Sequence, residues 1–263
     1  MDENRRASLV FAPTGLVGRD LGKCLQDIRL LAVLALGVWL SACSTTPEAV
    51  EQNDPFEPTN RKIFEFNHSL DDRVAIPVAT FYHSVAPEEF RDHLHYFLSN
   101  LHLPVTFVND VLQGHFSRGG QAIGRFATNS TLGVAGIFDV ATDWGWPQHD
   151  EDFGQTMGYY GVGEGPYLVL PLSGPTVPRD LAGGFVDHYL DPLGYLHLRN
   201  KIIWSWPRSF LSFVDTRSRS IDSLREIQRS SIDLYATTRS LYRQSRDNAI
   251  RNGDLDVKGL PEF

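Results

Sequence analysis

The chain contains little of the chemistry that cross-links a fold. It has two cysteines among 263 residues, Cys24 and Cys43, and an apolar segment separates them. If the chain is cut immediately before Cys43, the remainder has no second thiol and cannot form an internal disulfide. Its stability then depends on the burial of side chains rather than on covalent bridges.

Long apolar runs are also missing. The most apolar stretch is 30–40, whereas a helix that crosses a bilayer needs about twenty apolar residues. After Cys43 no run approaches that length, so the sequence predicts no spanning segment. About ten helical residues cross half of the hydrocarbon core, however, so the helices predicted at about 88–101 and 118–132 can lie within one leaflet.

The patterns of catalytic and metal sites are absent as well. The sequence contains neither His-Glu-x-x-His nor Gly-x-Ser-x-Gly. His93 and His95 lie two residues apart and point to different faces of a helix, which disfavours a shared metal ion. Ser173 precedes Gly174-Pro175, a poor start for the helix that follows a hydrolase nucleophile. The sequence therefore predicts no enzyme, no catalytic residue, no metal and no cofactor.

A secretory signal occupies the start of the chain. The apolar run 30–40 follows Arg29 and ends in Leu40-Ser41-Ala42-Cys43, which resembles a bacterial lipobox. This order predicts that residues 1–42 are a cleaved signal peptide and that Cys43 carries the lipid anchor. Several acyl chains make such attachment stable. Ser44 follows the cysteine where an aspartate commonly signals inner-membrane retention, so the expected destination is the outer membrane, with the chain anchored in its periplasm-facing leaflet.

The rest of the chain divides into three parts. Residues 43–53 read as a flexible lipidated tether, 54–251 as a helical domain and 252–263 as a flexible tail. Prolines predict helix starts at positions 77, 87 and 104, and further helices are expected at about 177–190 and after position 212. The run 167–172 reads as one strand or a buried extended segment. The predicted fold class is mainly α, a single compact bundle of amphipathic helices with few or no strands.

Charge is unevenly distributed along the chain. Residues 44–198 contain seven basic and twenty acidic side chains, whereas 199–251 contain eleven basic and five acidic ones. A basic segment of this kind can contact lipid phosphates or an acidic partner, or it can simply face water on surface helices. Nothing in the pattern indicates nucleic acid.

An ordered series of short motifs carries a family resemblance. They are Asp54-Pro55-Phe56-Glu57, Asn60-Arg61, Phe66-Asn67, Asn100-Leu101, Asn109 to Gly114, Arg125-Phe126, Asn129 to Gly133, Gly136 to Ala141, Asp152 to Thr156, Gly158 to Tyr167, Leu170 to Pro175, Arg179-Asp180 and Asp191-Pro192. Together with the lipobox, this series over about 54–195 resembles the VacJ/MlaA family of outer-membrane lipoproteins.

The resemblance implies a fold and a function. Members of this family are ring-like helical bodies, monotopic in the periplasm-facing leaflet, with an amphipathic channel. They remove phospholipids misplaced in the outer leaflet, associate with trimeric porins and pass lipid to a soluble periplasmic carrier. Two other classes stay open from the residues alone: an adaptor lipoprotein that binds porins without moving lipid, and a lipid-cleaving hydrolase.

Two groups of residues are expected to serve that function. Channel or interface surface is predicted for the glycine-rich and tyrosine-rich part of the chain, at Gly158, Tyr159, Tyr160, Gly161, Gly163 and Tyr167. A gate or brace next to the tether is predicted for Asp54, Pro55, Asn60 and Arg61, because amide and guanidinium groups bind backbone carbonyls and carboxylates. For both groups a purely structural role, a glycine turn or a helix cap with a salt bridge, is the alternative.

Overall fold

The computed structural model describes residues 47–192 and 201–253, and within them the fold is mainly helical with one short hairpin. The mainly α prediction with few strands is confirmed. The elements are α1 (Pro47–Glu51), α2 (Glu57–Leu70), a π-helical turn (Asp71–Ala75), α3 (Ile76–Val85), α4 (Glu88–Asn100), α5 (Leu103–Leu112), α6 (Phe116–Thr131), α7 (Val140–Asp143), α8 (Phe153–Tyr159), β1 (Leu168–Leu170), β2 (Gly174–Thr176), α9 (Pro178–Leu190), α10 (Lys201–Arg219), α11 (Ile221–Ser230) and α12 (Leu234–Ile250). None of the described helices combines the length and hydropathy that a bilayer crossing requires.

Prolines mark helix starts at positions 87 and 104, as the sequence predicts, and also at position 178. Pro104 and Pro178 lie in the first turns of α5 and α9, where a missing backbone N–H costs nothing. Pro87 immediately precedes α4, whose first turn carries Glu88 and Glu89, the charge that a helix N-terminus favours. The bounds of these helices therefore follow from local chemistry.

Pro77 differs from the expectation of a separate second helix. It lies in the first turn of α3, but α3 continues from α2 through the π-helical turn Asp71–Ala75. A proline ring clashes with the carbonyl four residues earlier in an α-helix. The π-helical turn widens the backbone at that place, so the chain remains helical through Pro77 instead of stopping.

The segment expected to be flexible next to the anchor is partly ordered. α1 buries Ala49, and the Asn53 side-chain amide donates to a Glu164 carboxylate oxygen at 3.0 Å and to the Gly165 carbonyl at 2.8 Å. The Tyr167 backbone N–H donates to the Asn53 carbonyl at 2.9 Å. These contacts correct the prediction of a flexible tether for residues 47–53. The rest of that tether, Cys43, the signal peptide and residues 254–263 lie outside the described residues.

The hairpin sits beside α2. β1 and β2 pair antiparallel, with Leu168 opposite Thr176 and Leu170 opposite Gly174. β1 therefore confirms the predicted extended segment at 167–172. Tyr167 and Val169 form a small apolar core with Tyr235 from α12. The hairpin thus links the start of the folded part to its last helix.

Candidate functional site

The described part of the chain inverts the usual division between interior and exterior. Its buried residues include twelve hydrophobic and eighteen polar or charged side chains, while 29 large hydrophobic side chains are exposed. Charged residues are almost never fully buried unless paired, and soluble monomers rarely expose large contiguous apolar patches. A polar interior with an apolar exterior suits an environment of hydrocarbon rather than water.

The exposed apolar side chains form stripes on individual helices. On α9, Leu181, Phe185 and Tyr189 recur every fourth residue, and Phe185 is 66 % exposed. On α3, Phe81 and Val85 are 68 % and 63 % exposed. Residues one turn apart share a helix face, so each helix presents one continuous apolar face outward.

A second apolar feature is the loop that follows α6. It exposes Leu132, Val134, Ile137 and Phe138 within seven residues. Val134 and Ala135 both adopt positive φ, at 52° and 60°, which is uncommon for residues with a Cβ and outlying for a β-branched one. The tight loop thus holds apolar side chains outward despite backbone strain.

Inside, a buried carboxylate links two parts of the chain that are distant in sequence, the start of the folded part with α2 and the last helix, α12. Asp54 is 0 % exposed, and one of its oxygens accepts from the Asn60 amide at 2.7 Å. Its other oxygen accepts from the Tyr235 hydroxyl at 2.5 Å and from Arg239 at 2.6 Å. Burial, and then the bond to Asp54, raises the pKa of Tyr235 above its ordinary value. The carboxylate therefore holds the start of the domain against α12.

Asn60 and Asn67 fix the extended segment onto α2. The Asn60 amide donates to the Tyr167 carbonyl at 3.0 Å and accepts from the Val169 N–H at 3.0 Å. Asn67 makes the same pair of bonds, at 2.8 Å each, with the Leu170 carbonyl and the Leu172 N–H. Seven residues are about two helical turns, so both amides lie on one face and act as substitutes for a neighbouring strand.

Asp54, Asn60 and Arg61, three of the four predicted brace residues, are brought together by the fold. Pro55 takes no part in these contacts, because its side chain has no hydrogen-bond donor or acceptor. Arg61 pairs with Glu57 at 2.7 Å and binds both oxygens of Asp233, and its guanidinium lies 4.4 Å from the Tyr235 ring centroid. Asn60 and Arg61 thus bind a carbonyl and carboxylates, the contacts their chemistry predicts. Their role as a gate stays a prediction.

A second buried polar group lies between α5 and α8. Gln113 donates to Glu151 at 2.9 Å and to Thr156 at 3.1 Å, and the Thr156 hydroxyl donates to Asn109 at 2.8 Å. Arg118 reaches Glu151 at 3.0 Å. Burial nevertheless raises the pKa of Glu151. In the sequence, Asn109 and Gln113 belong to a family motif, but the motif alone assigns their side chains no role.

A third group centres on Arg125, which is 2 % exposed. Its Nη2 binds both oxygens of Asp139 at 2.8 Å, and Nη1 donates to the Thr142 hydroxyl and the Trp146 carbonyl. Asn129 also donates to Asp139, at 2.9 Å. Polar residues on the inner face of a helix rich in small residues are the signal that could have identified this group from the sequence.

The fold places the residues of the glycine- and tyrosine-rich segment in two different environments, the surface and the interior. Tyr159, Tyr160, Gly161 and Gly163 are exposed, and the Tyr160 hydroxyl donates to the Leu112 carbonyl at 2.5 Å. Gly161 has a φ of 81°, the left-handed conformation that favours glycine. These four residues are accessible at the surface, and their role in a channel or interface stays a prediction.

Gly158 and Tyr167 belong elsewhere. A Cβ on Gly158 would lie 2.6 Å from Ile250, so this glycine permits the close packing of α8 on α12. Tyr167 is 0 % exposed, and its ring makes edge contacts with Tyr235 and Tyr242. The expectation that Tyr167 forms an interface surface is corrected, because the ring is enclosed in the aromatic core.

The basic segment pairs largely with the acidic part of the same chain. Six of its arginines bind carboxylates from the preceding part: Arg208 with Asp191, Arg217 with Asp71, Arg219 with Asp92, Arg239 with Asp54, Arg243 with Glu164 and Arg246 with Asp152 and Asp180. Burial alone would raise the pKa of Asp152, but the hydrogen bonds and charge of Arg246 outweigh it and lower that pKa. The uneven charge is thus in large part internal complementarity.

Three neighbouring side chains in the described residues are of types that coordinate cations. Ligand atoms of His68, Asp71 and Asp72 lie within 4.8 Å of one another. Both oxygens of Asp71 already accept from Arg217, at 2.7 and 2.6 Å. The Arg217 guanidinium therefore already binds the Asp71 oxygens that a cation would need. We assign no metal to this group.

Comparisons with known proteins agree on one family. A family model described as MlaA lipoprotein matches residues 52–249. The Escherichia coli K12 intermembrane phospholipid transport system lipoprotein MlaA is 34 % identical over 242 residues, covering 88 % of this chain and 92 % of the relative. An uncharacterised protein of Rickettsia bellii is 35 % identical over 202 residues, covering 76 % and 78 %.

A solved structure resembles the fold as well. It was determined in work on the structural basis for maintenance of bacterial outer membrane lipid asymmetry. Its chain is 34 % identical, aligns with a TM-score of 0.69, and the match covers 75 % of this chain and 98 % of that one. The sequence and the structure therefore point to the same relatives.

Proposed function

The chain belongs to the MlaA lipoprotein family, and we propose that it removes misplaced phospholipids from the outer leaflet of the outer membrane and passes them towards the periplasm. It is a membrane-associated lipoprotein of intermembrane phospholipid transport, in keeping with the relatives that carry this name. The transport step needs no covalent chemistry, because a lipid requires only a polar path for its head group and an apolar wall for its tails.

One observation carries this proposal: polar side chains fill the interior while large apolar side chains cover the outside. Such a body is at its most stable when hydrocarbon surrounds it, since buried polar groups find partners inside and apolar stripes leave water. Its described helices are too short or too polar to span a bilayer. We therefore place it in the periplasm-facing leaflet, held by a lipidated Cys43.

Because α1 is docked on the domain, the stretch of chain between the proposed anchor and the domain is shorter than the sequence predicts. Only residues 44–46 separate Cys43 from Pro47, the first residue of α1. This connection is short, so we propose that lipidation of Cys43 keeps the domain at the membrane instead of on a long tether.

Two partners complete the proposal. A trimeric porin would border the body within the membrane, and a soluble lipid-binding carrier would receive the phospholipid on the periplasmic side. The resemblance to the family implies both partners, and both are part of this proposal. The exposed apolar faces of α3 and α9 are consistent with a membrane-embedded neighbour.

The experiment that tests the function is deletion of the gene, followed by measurement of phospholipid in the outer leaflet by accessibility to an outer-leaflet phospholipase or dye. We expect outer-leaflet phospholipid to rise and to fall again when the wild-type gene is restored. An adaptor that moves no lipid would leave that level unchanged. A lipid-cleaving enzyme would instead release fatty acid or lysolipid from vesicles incubated with the purified protein.

Replacement of Gly163 by leucine tests whether the exposed tyrosine and glycine surface forms part of the lipid path. Gly163 has open space around it and an ordinary φ, so the larger side chain fits without strain in the fold. We expect outer-leaflet phospholipid to rise towards the level of the deletion strain. The leucine side chain would occupy space that the proposed lipid path needs next to the exposed segment with Tyr159 and Tyr160.

The matched control for this variant is Gly120→Leu, since Gly120 lies on the exposed side of α6 and a Cβ there would meet no atom within 4 Å. It should leave outer-leaflet phospholipid at the wild-type level. If the Gly163 variant is as abundant as the wild type in the membrane fraction and keeps normal lipid levels, the surface is not part of the path.

Replacement of Cys43 by alanine is expected to abolish most function without unfolding the domain. Each buried CH₂ of an acyl chain contributes about 0.8 kcal/mol to membrane attachment, so loss of the anchor weakens placement strongly. Outer-leaflet phospholipid should rise, while circular dichroism of the purified variant stays that of a helical protein. The apolar helix faces are expected to retain a fraction of the variant at the membrane.

Cys24→Ala is the control for the anchor experiment, because Cys24 lies in the part that the signal peptidase is expected to remove. It should fractionate with the membrane as the wild type does. Normal lipid levels and full membrane retention in the Cys43 variant would show that the anchor is dispensable.

A further inference from the structure

A groove of about 500 Å³ runs along one side of α10 and reaches the start of α11. Its walls combine hydroxyl groups with two apolar side chains, and one arginine contributes to its lining. Ser209, Ser212, Phe213 and Thr216 are exposed, so the groove is open along its length and can admit one end of an extended molecule. None of the residues in the predicted channel or brace groups lines it.

Hydroxyls form one continuous side of the groove. Ser209, Ser212, Thr216 and Ser220 all line it, at spacings of three and four residues along α10 and just beyond its end. Residues at these spacings share a helix face. The Ser220 hydroxyl donates to the Thr216 carbonyl, but the hydroxyls of Ser209, Ser212 and Thr216 have no partner within the described residues. They remain available to a ligand.

Arg217 supplies the charge. It is 8 % exposed, and its Nε and Nη2 donate to the two oxygens of Asp71 at 2.7 and 2.6 Å. Its Nη1 is buried and has no acceptor among the described residues. A buried guanidinium N–H without an acceptor is unusual in a native fold and calls for an unaccounted partner. Arg217 itself lines the groove, so an anion bound there is the candidate for that acceptor.

Asp71 limits what that anion can be. Because it already neutralises most of the Arg217 charge, the groove is not a strongly cationic site, and a small mobile anion gains little there from charge alone. Phe213, 50 % exposed, and Leu224, 37 % exposed, add apolar walls. The site therefore suits a ligand that presents phosphate oxygens together with hydrocarbon.

We propose that this groove binds the phosphodiester head group of a membrane phospholipid, with the phosphate oxygens at the hydroxyl stripe and Arg217 and the glycerol and acyl end against Phe213 and Leu224. Phosphate oxygens accept readily from guanidinium and hydroxyl donors. The proposal rests on the phospholipid-transport function and deepens it, because it names the chemical group that the body recognises and where.

The test uses the purified full-length lipidated protein in dodecyl maltoside and measures lipid retention by native mass spectrometry. The probes are dioleoyl-phosphatidylglycerol, dioleoylglycerol with the same tails but no phosphate, and inorganic phosphate alone. The variant is Ser212→Ala with Thr216→Val, which removes two hydroxyls of the groove and leaves Arg217 paired with Asp71. The control is Ser223→Ala, an exposed serine of α11 outside the groove.

We expect the wild type and the control to retain phosphatidylglycerol equally and the double variant to retain about tenfold less, the effect of two lost hydrogen bonds. Dioleoylglycerol should be retained weakly by all three. Equal retention by the double variant, or equal retention of dioleoylglycerol and phosphatidylglycerol by the wild type, would overturn the head-group site. Binding of inorganic phosphate that displaces the lipid would identify a free-anion site instead.

Complementation of the deletion strain separates this proposal from the function on which it rests. If the wild-type gene restores outer-leaflet phospholipid to normal and the double variant does so equally well, transport stands and the groove is not used. If the wild-type gene restores nothing, the transport function itself fails. Failure of both the wild type and the variant to retain any phospholipid in detergent also overturns the head-group site.

Discussion

Replacement of Asp54 by alanine is expected to lower the free energy of unfolding by about 3 to 5 kcal/mol, the cost of breaking a buried ion pair by removing one partner. Asp54 is 0 % exposed and accepts hydrogen bonds from Asn60, Tyr235 and Arg239. Alanine has no oxygen to accept these bonds, so each of the three donors loses its acceptor at this buried position. Among the described residues, Arg239 keeps a longer contact to Glu57, at 3.6 Å, and its place 5.6 Å from the Tyr235 ring centroid.

The loss should extend beyond the site of substitution, because Asp54 connects the beginning of the domain to its last helix. Arg239 and Tyr235 belong to α12, and Asn60 also holds the hairpin segment through Tyr167. Removal of the carboxylate weakens both attachments at once. We therefore expect α12 to become accessible to protease or hydrogen exchange before the rest of the fold.

Asp222→Ala is the matched control for Asp54→Ala. Its side chain is fully exposed and lies 3.9 Å from Arg225, one turn along the same helix. A surface pair of this kind contributes little to stability, so this variant should unfold at nearly the same denaturant concentration as the wild type. Denaturant titration of the purified proteins in detergent, followed by circular dichroism, gives both values. Similar unfolding midpoints for the two variants would show that the Asp54 network contributes little to stability.

Replacement of Gly183 by alanine is expected to destabilise the domain by about 3 kcal/mol, at the upper end of ordinary overpacking. A Cβ at Gly183 would lie 2.3 Å from the backbone nitrogen of Gly154 and 2.6 Å from its Cα. Backbone atoms cannot rotate away as a side chain can. α8 and α9 must therefore move apart.

This separation also affects polar contacts between the two helices. Asp187, one turn beyond Gly183 on α9, accepts from the Phe153 backbone N–H at 3.1 and 3.0 Å at the start of α8. Asp187 also accepts from Asn109 at 3.1 Å, so the movement reaches α5. The single added methyl group is thus expected to loosen three helices.

Gly184→Ala provides a control at the adjacent position of the same helix. A Cβ there meets no atom within 4 Å, so alanine restricts the unfolded chain and favours helix without a clash. We expect stabilisation by about 0.5 to 1 kcal/mol. Opposite signs for the two neighbouring variants, measured as shifts in the unfolding midpoint, confirm the close helix contact. Equal shifts would contradict it.

Much of the helical framework is predictable because its determinants are local. The starts of α4, α5 and α9 follow from prolines at 87, 104 and 178, and each depends on residues within one turn. The brace contacts of Asn60 and Arg61 were predictable in kind, since an amide binds carbonyls and a guanidinium binds carboxylates. Each has a local partner, Asp54 or Glu57, but their other partners, Tyr167 and Asp233, lie more than 100 residues away.

The misplaced expectations have a common physical origin. Residues 47–53 are short of large apolar side chains, a composition typical of a flexible tether, yet α1 docks through the Asn53 amide and backbone. Tyr167 lies in a glycine-rich segment, which is typical of a surface, yet it is buried against Tyr235 and Tyr242. In each case a contact with a distant segment decided the outcome.

The amino-acid order alone predicts the helical class, several of the helix starts, the family and the marked separation of acidic and basic residues along the chain. The positions of the basic residues depend on the fold: Arg217, Arg239 and Arg246 turn inward to Asp71, Asp54 and Asp152. Composition records how many charges a segment carries. Pairing depends on which segments meet in space, and in a body covered by apolar side chains a buried charge is stable only when its partner is buried with it.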